Sequence, residues 1–286
     1  MKYLLTGASG KFGSFVLKFL KEQGVEKETI AVVRDEKKGV AIREQGFEVR
    51  VADYTDKSSL VSAFSGGERL LFISSVPGGE IPRLTQHQNV VNAAKEAGVQ
   101  FIAYTSLAKA DQSTSILAPD HLGTEKSIIE SGMDYALLRN NWYLENDLSV
   151  FERADLTGVF AYSAGSERVG WALRREYAEA GARVLLGIVK DTGVLEMSGR
   201  ALSYSDLAAG YAKTSQKPFE EKSFTDEEYK AFLEKSHVPD IAIEGTIAIQ
   251  KEIREGALDI DHSDFERILG RSLTSLQDAI KEMLEL

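Results

Sequence analysis

An α/β fold, a doubly wound parallel sheet with a smaller C-terminal lobe, is predicted by three features of the sequence. Six short apolar runs alternate with segments of helical period over the first 150 residues, the pattern of a sheet covered on both faces. The first run, Tyr3-Leu4-Leu5, passes through Thr6-Gly7 to Gly10 and Gly13, and apolar residues then recur at helical intervals (Phe12, Phe15, Val16, Phe19, Leu20). Beyond about residue 150 the strict alternation stops.

The elements follow in order. After the first strand and helix, Thr29–Val33 reads as a second strand ending at Arg34. A helix is predicted over 37–45, a strand over 47–51 ending at Asp53-Tyr54, and a short helix over 57–64. The run 69–73 is a strand ending at Ser74-Ser75, and Pro77-Gly78-Gly79 is a loop. Residues 82–97 carry a helical period (Leu84, Val90, Val91, Ala94) that stops at Gly98. A strand over 99–104 ends at Thr105-Ser106, and 107–118 is a loop. Pro119 opens a helix to Ser131 with Gly132 at its end. The sixth strand, 135–138, ends at Arg139-Asn140. Later, short strands are expected over 158–161, 169–173, 194–197 and 219–224, and helices over 176–189, 205–214 (capped by Ser203 or Ser205), 225–234 and 273–286. The expected organisation is a Rossmann-type NAD(P)-binding domain over 1–150 and a smaller lobe over 151–286 that covers the substrate side and partly returns to the main sheet.

Composition narrows the function. The 286 residues carry a net charge of −10, which disfavours nucleic acid as a partner. The absence of cysteine excludes disulfides, thiol catalysis and Cys-based metal sites. No apolar run is long enough to span a bilayer and no signal-peptide pattern occurs, so the cytoplasm is the expected location. The four histidines show no metal-ligand spacing, and neither a nucleophile elbow nor a P-loop lysine motif occurs. His121 faces the expected pocket as a candidate acid, against a surface or capping role.

Ligands of an open parallel sheet bind beyond the carboxyl ends of its strands. Gly7, Ala8, Ser9, Gly10, Lys11 and Phe12 form the expected pyrophosphate turn. Arg34 stands where a cation suits the 2′-phosphate of NADP(H), with Lys37 and Lys38 close behind, whereas Asp35 is the competing ribose acid expected of an NAD site. Asp53 is a candidate acceptor for the adenine amino group, or else a turn residue in Asp-Tyr-Thr-Asp. Ser74, Ser75, Thr105, Ser106 and the stretch from Asn140 to Tyr143 complete the set of strand-end polar groups.

The blocks TGASGKFG, AVVR, ADY, LLFISS, FIAYTSL and LRNNWYLEN, in this order, resemble the NmrA-like branch of the atypical short-chain dehydrogenase/reductases. More closely, they resemble the bacterial NAD(P)H:quinone oxidoreductase type 2 enzymes, and the likeness continues through GSERVGWALRREYAEA and LGRSLTSLQDAI. The resemblance implies that Gly7 to Phe12 hold the pyrophosphate and Arg34 the 2′-phosphate. It implies that Ser74, Ser75 and Val76 line the ribose and nicotinamide side. Leu138, Arg139, Asn140, Asn141, Trp142 and Tyr143 would border the nicotinamide, and Arg174 would lie near the same pocket. Trp171 and Arg175 depart from the smaller residues expected in GWALRRE, which bears on pocket size.

The Tyr-x-x-x-Lys pair of the wider superfamily is absent: Leu122 stands four residues before Lys126. Reducing a ketone needs an acid beside the oxygen, whereas a quinone takes hydride readily and leaves a stabilised phenolate. The expected partner is thus a small quinone-like molecule, reduced by NADPH without a second cofactor or metal. Tyr143, Lys126 and Ser106 are the catalytic candidates, and Trp142, Tyr143 and Tyr104 offer aromatic faces to a flat acceptor, or pack the core. A redox-sensing regulator without turnover, and a reductase of triarylmethane or azo acceptors, are the alternatives. A homodimer is compatible with any of them.

Overall fold

The computed structural model describes every residue except Asp191, Gln216, Asp261 and Leu286. The first half of the chain forms β1 (Tyr3–Leu5), α1 (Lys11–Glu22), β2 (Thr29–Val33), α2 (Glu36–Glu44), β3 (Glu48–Val51), α3 (Lys57–Phe64), β4 (Arg69–Phe72), α4 (Arg83–Glu96), β5 (Phe101–Leu107), α5 (Ala118–Ser131) and β6 (Asp134–Asn140). The second half forms α6 (Leu148–Thr157), β7 (Val159–Tyr162), β8 (Arg168–Val169), α7 (Arg174–Leu185), β9 (Gly193–Met197), β10 (Leu202–Ser203), α8 (Tyr204–Ala212), β11 (Glu220–Ser223), α9 (Asp226–Lys235), α10 (Asp240–Arg254), α11 (Phe265–Leu269) and α12 (Leu276–Glu285).

Seven strands make one sheet in the order β3-β2-β1-β4-β5-β6-β9, and every pair in it is parallel. Alternate residues of each strand enter opposite apolar layers. Leu5, Leu71, Ala103 and Leu138 pack with α1, α7 and α11. Leu4, Leu70, Ile102 and Leu137 pack with α3, α4 and α5. Burial on both faces is why these strands read as unbroken apolar runs. The strand order reverses beside β1, which pairs with β2 on one side and β4 on the other. Chains leaving these strands at their carboxyl ends diverge there, and a crevice opens between them.

The chain after residue 150 divides its contribution. Strand β9 joins the main sheet beside β6, and α7 shares an apolar layer with α1. Residue 150 itself lies inside α6. The remaining segments pair β11 with β7 in parallel and β10 with β8 antiparallel, around a separate core that includes Phe151, Phe160, Tyr204, Tyr211, Ile253 and Ile280. Helix α8 starts at a reciprocal capping box between Ser203 and Asp206, and α9 at one between Thr225 and Glu228. Among the described residues no helix is long and apolar enough to cross a membrane.

Several boundaries differ from those expected. Strand β5 continues to Leu107 and β6 to Asn140, because the two pair in register as far as Leu107 with Asn140. Thr105, Ser106, Arg139 and Asn140 therefore lie within the sheet rather than beyond it. Over 169–173 only Val169 is in a strand, as the end of β8, while Ala172 makes an isolated bridge to Tyr143. Helix α6 has no counterpart among the expected elements, while α10 and α11 fall in the tail expected only to be helical with loops. The last expected helix, 273–286, starts later, at Leu276, and Leu286 lies outside the described residues.

Candidate active site

The glycine turn after β1 forms one wall of the crevice. Gly7 turns at φ +62, a conformation that favours glycine. Gly10 precedes α1 with no side-chain cap, and no acidic residue occupies the first turn. The first N–H groups of that helix are thus left for an external acceptor. A Cβ on Gly13 would stand 2.3 Å from Gly7 O and 2.7 Å from Ala8 Cα, so the helix rests directly on the turn. A cavity of about 370 Å³ opens here, a size suited to a small organic ligand. Gly7, Ser9, Gly10, Lys11 and Phe12 line it, as do Arg34 and Lys38 from beyond β2, and Ser74, Ser75 and Val76 from beyond β4. Ala8 is fully buried beneath the turn.

The cation at the rim is available. Arg34 and Lys38 are exposed, and neither side chain has a hydrogen bond or ion pair among the described residues. Asp35, the competing ribose acid, is instead the N-cap of α2: its carboxylate accepts from Lys37 N at 2.9 Å. Asp53 is likewise occupied, accepting from Thr55 N at 2.8 Å and Thr55 Oγ1 at 2.7 Å. It does not line the cavity; its neighbour Tyr54 does, with its hydroxyl donating to Ile73 O at 2.8 Å. Tyr54, in the ADY block, and Gln86 line the cavity although neither is among the expected site residues.

The residues at the end of β6 divide. Leu138 is fully buried in the core. Arg139 is in register with Ser106 on β5 and Glu196 on β9, and lies in a carboxylate cluster rather than on the cavity. Its guanidinium pairs with both oxygens of Glu125 at 3.0 and 2.9 Å, with Asp111 at 2.6 Å and with Glu196 at 3.1 Å. Ser106 donates to Glu125 in the same cluster at 2.5 Å. Asn141 is tied to Ser198 Oγ and Leu258 O. The indoles of Trp142 and Trp171 and the phenol of Tyr204 all donate to the buried carboxylate of Asp147, at 3.0, 2.7 and 2.8 Å.

Tyr143 does not itself line the cavity but packs against Phe12, which does. Its ring lies 6.1 Å from that of Phe12, and its hydroxyl accepts from Asn140 Nδ2 at 3.0 Å. Burial pushes the phenol up to about 12, against the lowering pull of Asn140, so it stays protonated at neutral pH. Arg174 stacks its guanidinium 5.3 Å above the same ring and donates to Asn146. Lys126 is on the outer surface, 3.8 Å from Glu130, and is not part of this site. Neither departure in GWALRRE reaches the cavity: Trp171 is held by Asp147, and Arg175 by Glu282 and Thr274.

Behind Ser75 lies a buried polar network that sequence spacing does not reveal. His87, Tyr104 and His121 meet there with Arg83 and Thr124. His121 is therefore not an acid facing the pocket, and Tyr104, fully buried, offers no face to a ligand. Burial, helped by the charge of Arg83, pushes both imidazoles down to about 3. Unfolded histidine titrates at about 6.5, so from about pH 6.5 down to 3 only the unfolded state takes up these protons. Stability is expected to fall on acidification through that window, by up to about 1.4 kcal/mol per pH unit per histidine. Urea unfolding of wild type and His121→Gln at about pH 7 and 5 checks this, the variant losing less.

The helix end without a cap, the glycine cradle and the unpaired rim cations fit a dinucleotide phosphate group. Comparison with known proteins agrees. Residues 7–166 match the NAD(P)H-binding family, and the chain belongs to this family, among the NmrA-like oxidoreductases. It is 38% identical over 280 residues to quinone oxidoreductase 2 of Escherichia coli (strain K12), covering 98% of this chain and 97% of that protein. The crystal structure of the NADPH-dependent quinone oxidoreductase of Escherichia coli complexed with NADPH superposes with a TM-score of 0.91, at 37% identity over 99% of each chain. Triphenylmethane reductase of Citrobacter sp., complexed with NADP(H), gives a TM-score of 0.90 at 33% identity, over 99% of this chain and 100% of that one.

Proposed function

We propose that this protein is an NADPH-dependent reductase that passes a hydride directly to a quinone or a similar planar electrophilic acceptor. The observation that carries the cofactor choice is the unpaired Arg34 at the cavity rim, beside an Asp35 already consumed as a helix cap. A guanidinium there suits a 2′-phosphate through paired donors, and Lys38 adds a second positive charge. The acceptor class is supported by the full-length likeness to a quinone oxidoreductase and a triphenylmethane reductase.

The bound dinucleotide supplies the hydride. The glycine turn and the first turn of α1 hold its pyrophosphate, and Ser74 to Val76 bound it on the side of β4. Phe12 and Tyr143 give the acceptor an apolar, aromatic border. Reduction of a quinone to a hydroquinone takes one hydride, which carries both electrons, and one proton. Tyr143 is the candidate donor for that proton. Its oxygen already accepts from Asn140, so its own hydrogen is free for an acceptor oxygen, and burial keeps the phenol protonated. Solvent then restores the phenol.

A second reading, a binding protein that senses the NADP redox state, is favoured by the absence of a tyrosine–lysine pair and by the remoteness of Lys126 and Ser106 from the cavity. NADPH deuterated at the transferable position separates the two. A primary isotope effect on NADPH oxidation by a quinone, and deuterium retained on the central carbon of a reduced triarylmethane dye, are expected of the reductase; tight binding with no transfer to either acceptor belongs to the sensor. Tyr143→Phe is expected to lower kcat by about tenfold, less than the roughly 100-fold or more usual for a general acid because the phenolate product is already stabilised, with NADPH affinity within about twofold.

A further inference from the structure

Ser75 stands on the wall of the cavity, and its polar groups are held from behind. Its N–H donates to His87 Nε2 at 2.9 Å, and its hydroxyl lies 3.1 Å from the same nitrogen. Its carbonyl accepts from Arg83 Nε at 2.7 Å. Arg83 and His87 are one turn apart on α4, and both are buried. Beyond Ser75 the chain has little support: Val76 is 81% exposed and Gly78 turns at φ +93.

The donor and acceptor roles in the network are determined. A backbone N–H can only donate, so Nε2 of His87 is an acceptor and the proton of the neutral ring sits on Nδ1. That proton points to Thr124 Oγ1, 2.8 Å away, whose own hydrogen goes to Asp120 O at 2.6 Å. In the same way Arg83 Nη2 donates to His121 Nε2 at 3.2 Å, which leaves His121 Nδ1–H for Tyr104 Oη at 2.8 Å. Burial and the neighbouring guanidinium both hold His87 neutral.

We propose that His87, together with Arg83, is a positioning residue for the dinucleotide: held in one tautomer by Thr124, it anchors Ser75 and so sets the wall against which the cofactor lies. This rests on the reading of the cavity as the NADPH site. The same geometry excludes a proton relay from His87 to Ser75, because Nε2 carries no proton to give. His87 thus acts on cofactor affinity and not on the chemical step.

The test compares His87→Leu, which removes the acceptor, with His87→Gln, whose side-chain oxygen restores one near the position of Nε2. His87→Leu is expected to raise the NADPH Kd about tenfold with kcat at saturation within about twofold, and His87→Gln to recover most of the affinity. A folded His87→Leu with wild-type Kd overturns the proposal, as does an equal loss in both variants. Nitrogen-15 NMR of histidine-labelled wild type needs no variant: His87 is expected to show protonated Nδ1 and bare Nε2, and its signals to move on saturation with NADPH. A protonated Nε2, or signals unmoved by bound NADPH, overturns it too. Wild type that fails to bind NADPH would overturn the cofactor reading itself, a result distinct from any of these.

Discussion

Gly10→Val is expected to abolish NADPH binding in a chain that still folds. Gly10 has φ −84, which valine accepts. A Cβ there meets Gly7 O at 3.3 Å, and beyond its chain neighbours and its own helix nothing else lies within 4 Å. The added methyl groups stand in the cavity, over the N–H groups that the pyrophosphate needs, and the expected loss of affinity is more than about 100-fold. Gly13→Ala provides the contrast. Its Cβ would collide with backbone atoms of Gly7 and Ala8 under 3 Å away, so the damage goes to the fold. A loss of about 1–3 kcal/mol or more is expected, read as a lowered Tm. Titration of NADPH into both variants, with melting curves alongside, separates the two effects. Full NADPH affinity in Gly10→Val would remove the pyrophosphate from this turn.

Arg34→Ala is expected to weaken NADPH by about 10- to 100-fold, the range of a lost charge-assisted hydrogen bond, and NADH by less than about threefold. The guanidinium has no competing partner among the described residues, so its interaction with a phosphate is not offset by a broken ion pair. NADPH binding by the variant is also expected to depend less on salt, since one cation has gone from an exposed rim. Isothermal titration with both dinucleotides measures this. Equal losses for the two would assign Arg34 to some part of the cofactor that they share.

What the sequence made legible was what local chemistry constrains. Gly7, Gly10 and Gly13 announce their turn because each answers a backbone requirement within a dozen residues of chain. The parallel strands announce themselves because both faces are buried. Arg34 was readable from its place after the second strand. Where a residue has two local uses, patterning leaves the choice open: Asp35 serves as a helix cap and Asp53 as a turn acceptor, and only the fold shows those carboxylates occupied. Arg139 was misjudged because cross-strand register decides where a strand ends. Pairing with β5 and β9 carries β6 to Asn140, which takes Arg139 into the sheet and gives it to Glu125 and Glu196. Lys126, on an outward helix face, was placed near the site only by analogy with a motif that lacks its tyrosine here. The His87 and His121 network left no trace in spacing, since its members come from two helices and a strand that meet only in the folded protein.

The most direct test of the account is the loss of NADPH absorbance on mixing the protein with a simple benzoquinone, run beside NADH and an enzyme-free blank. Rapid oxidation that prefers NADPH is the expected result, and it follows jointly from the free Arg34 and from an acceptor that needs little acid assistance. Tight NADPH binding with no oxidation above the blank, for benzoquinone and for a triarylmethane dye alike, would contradict the reductase and leave the redox sensor.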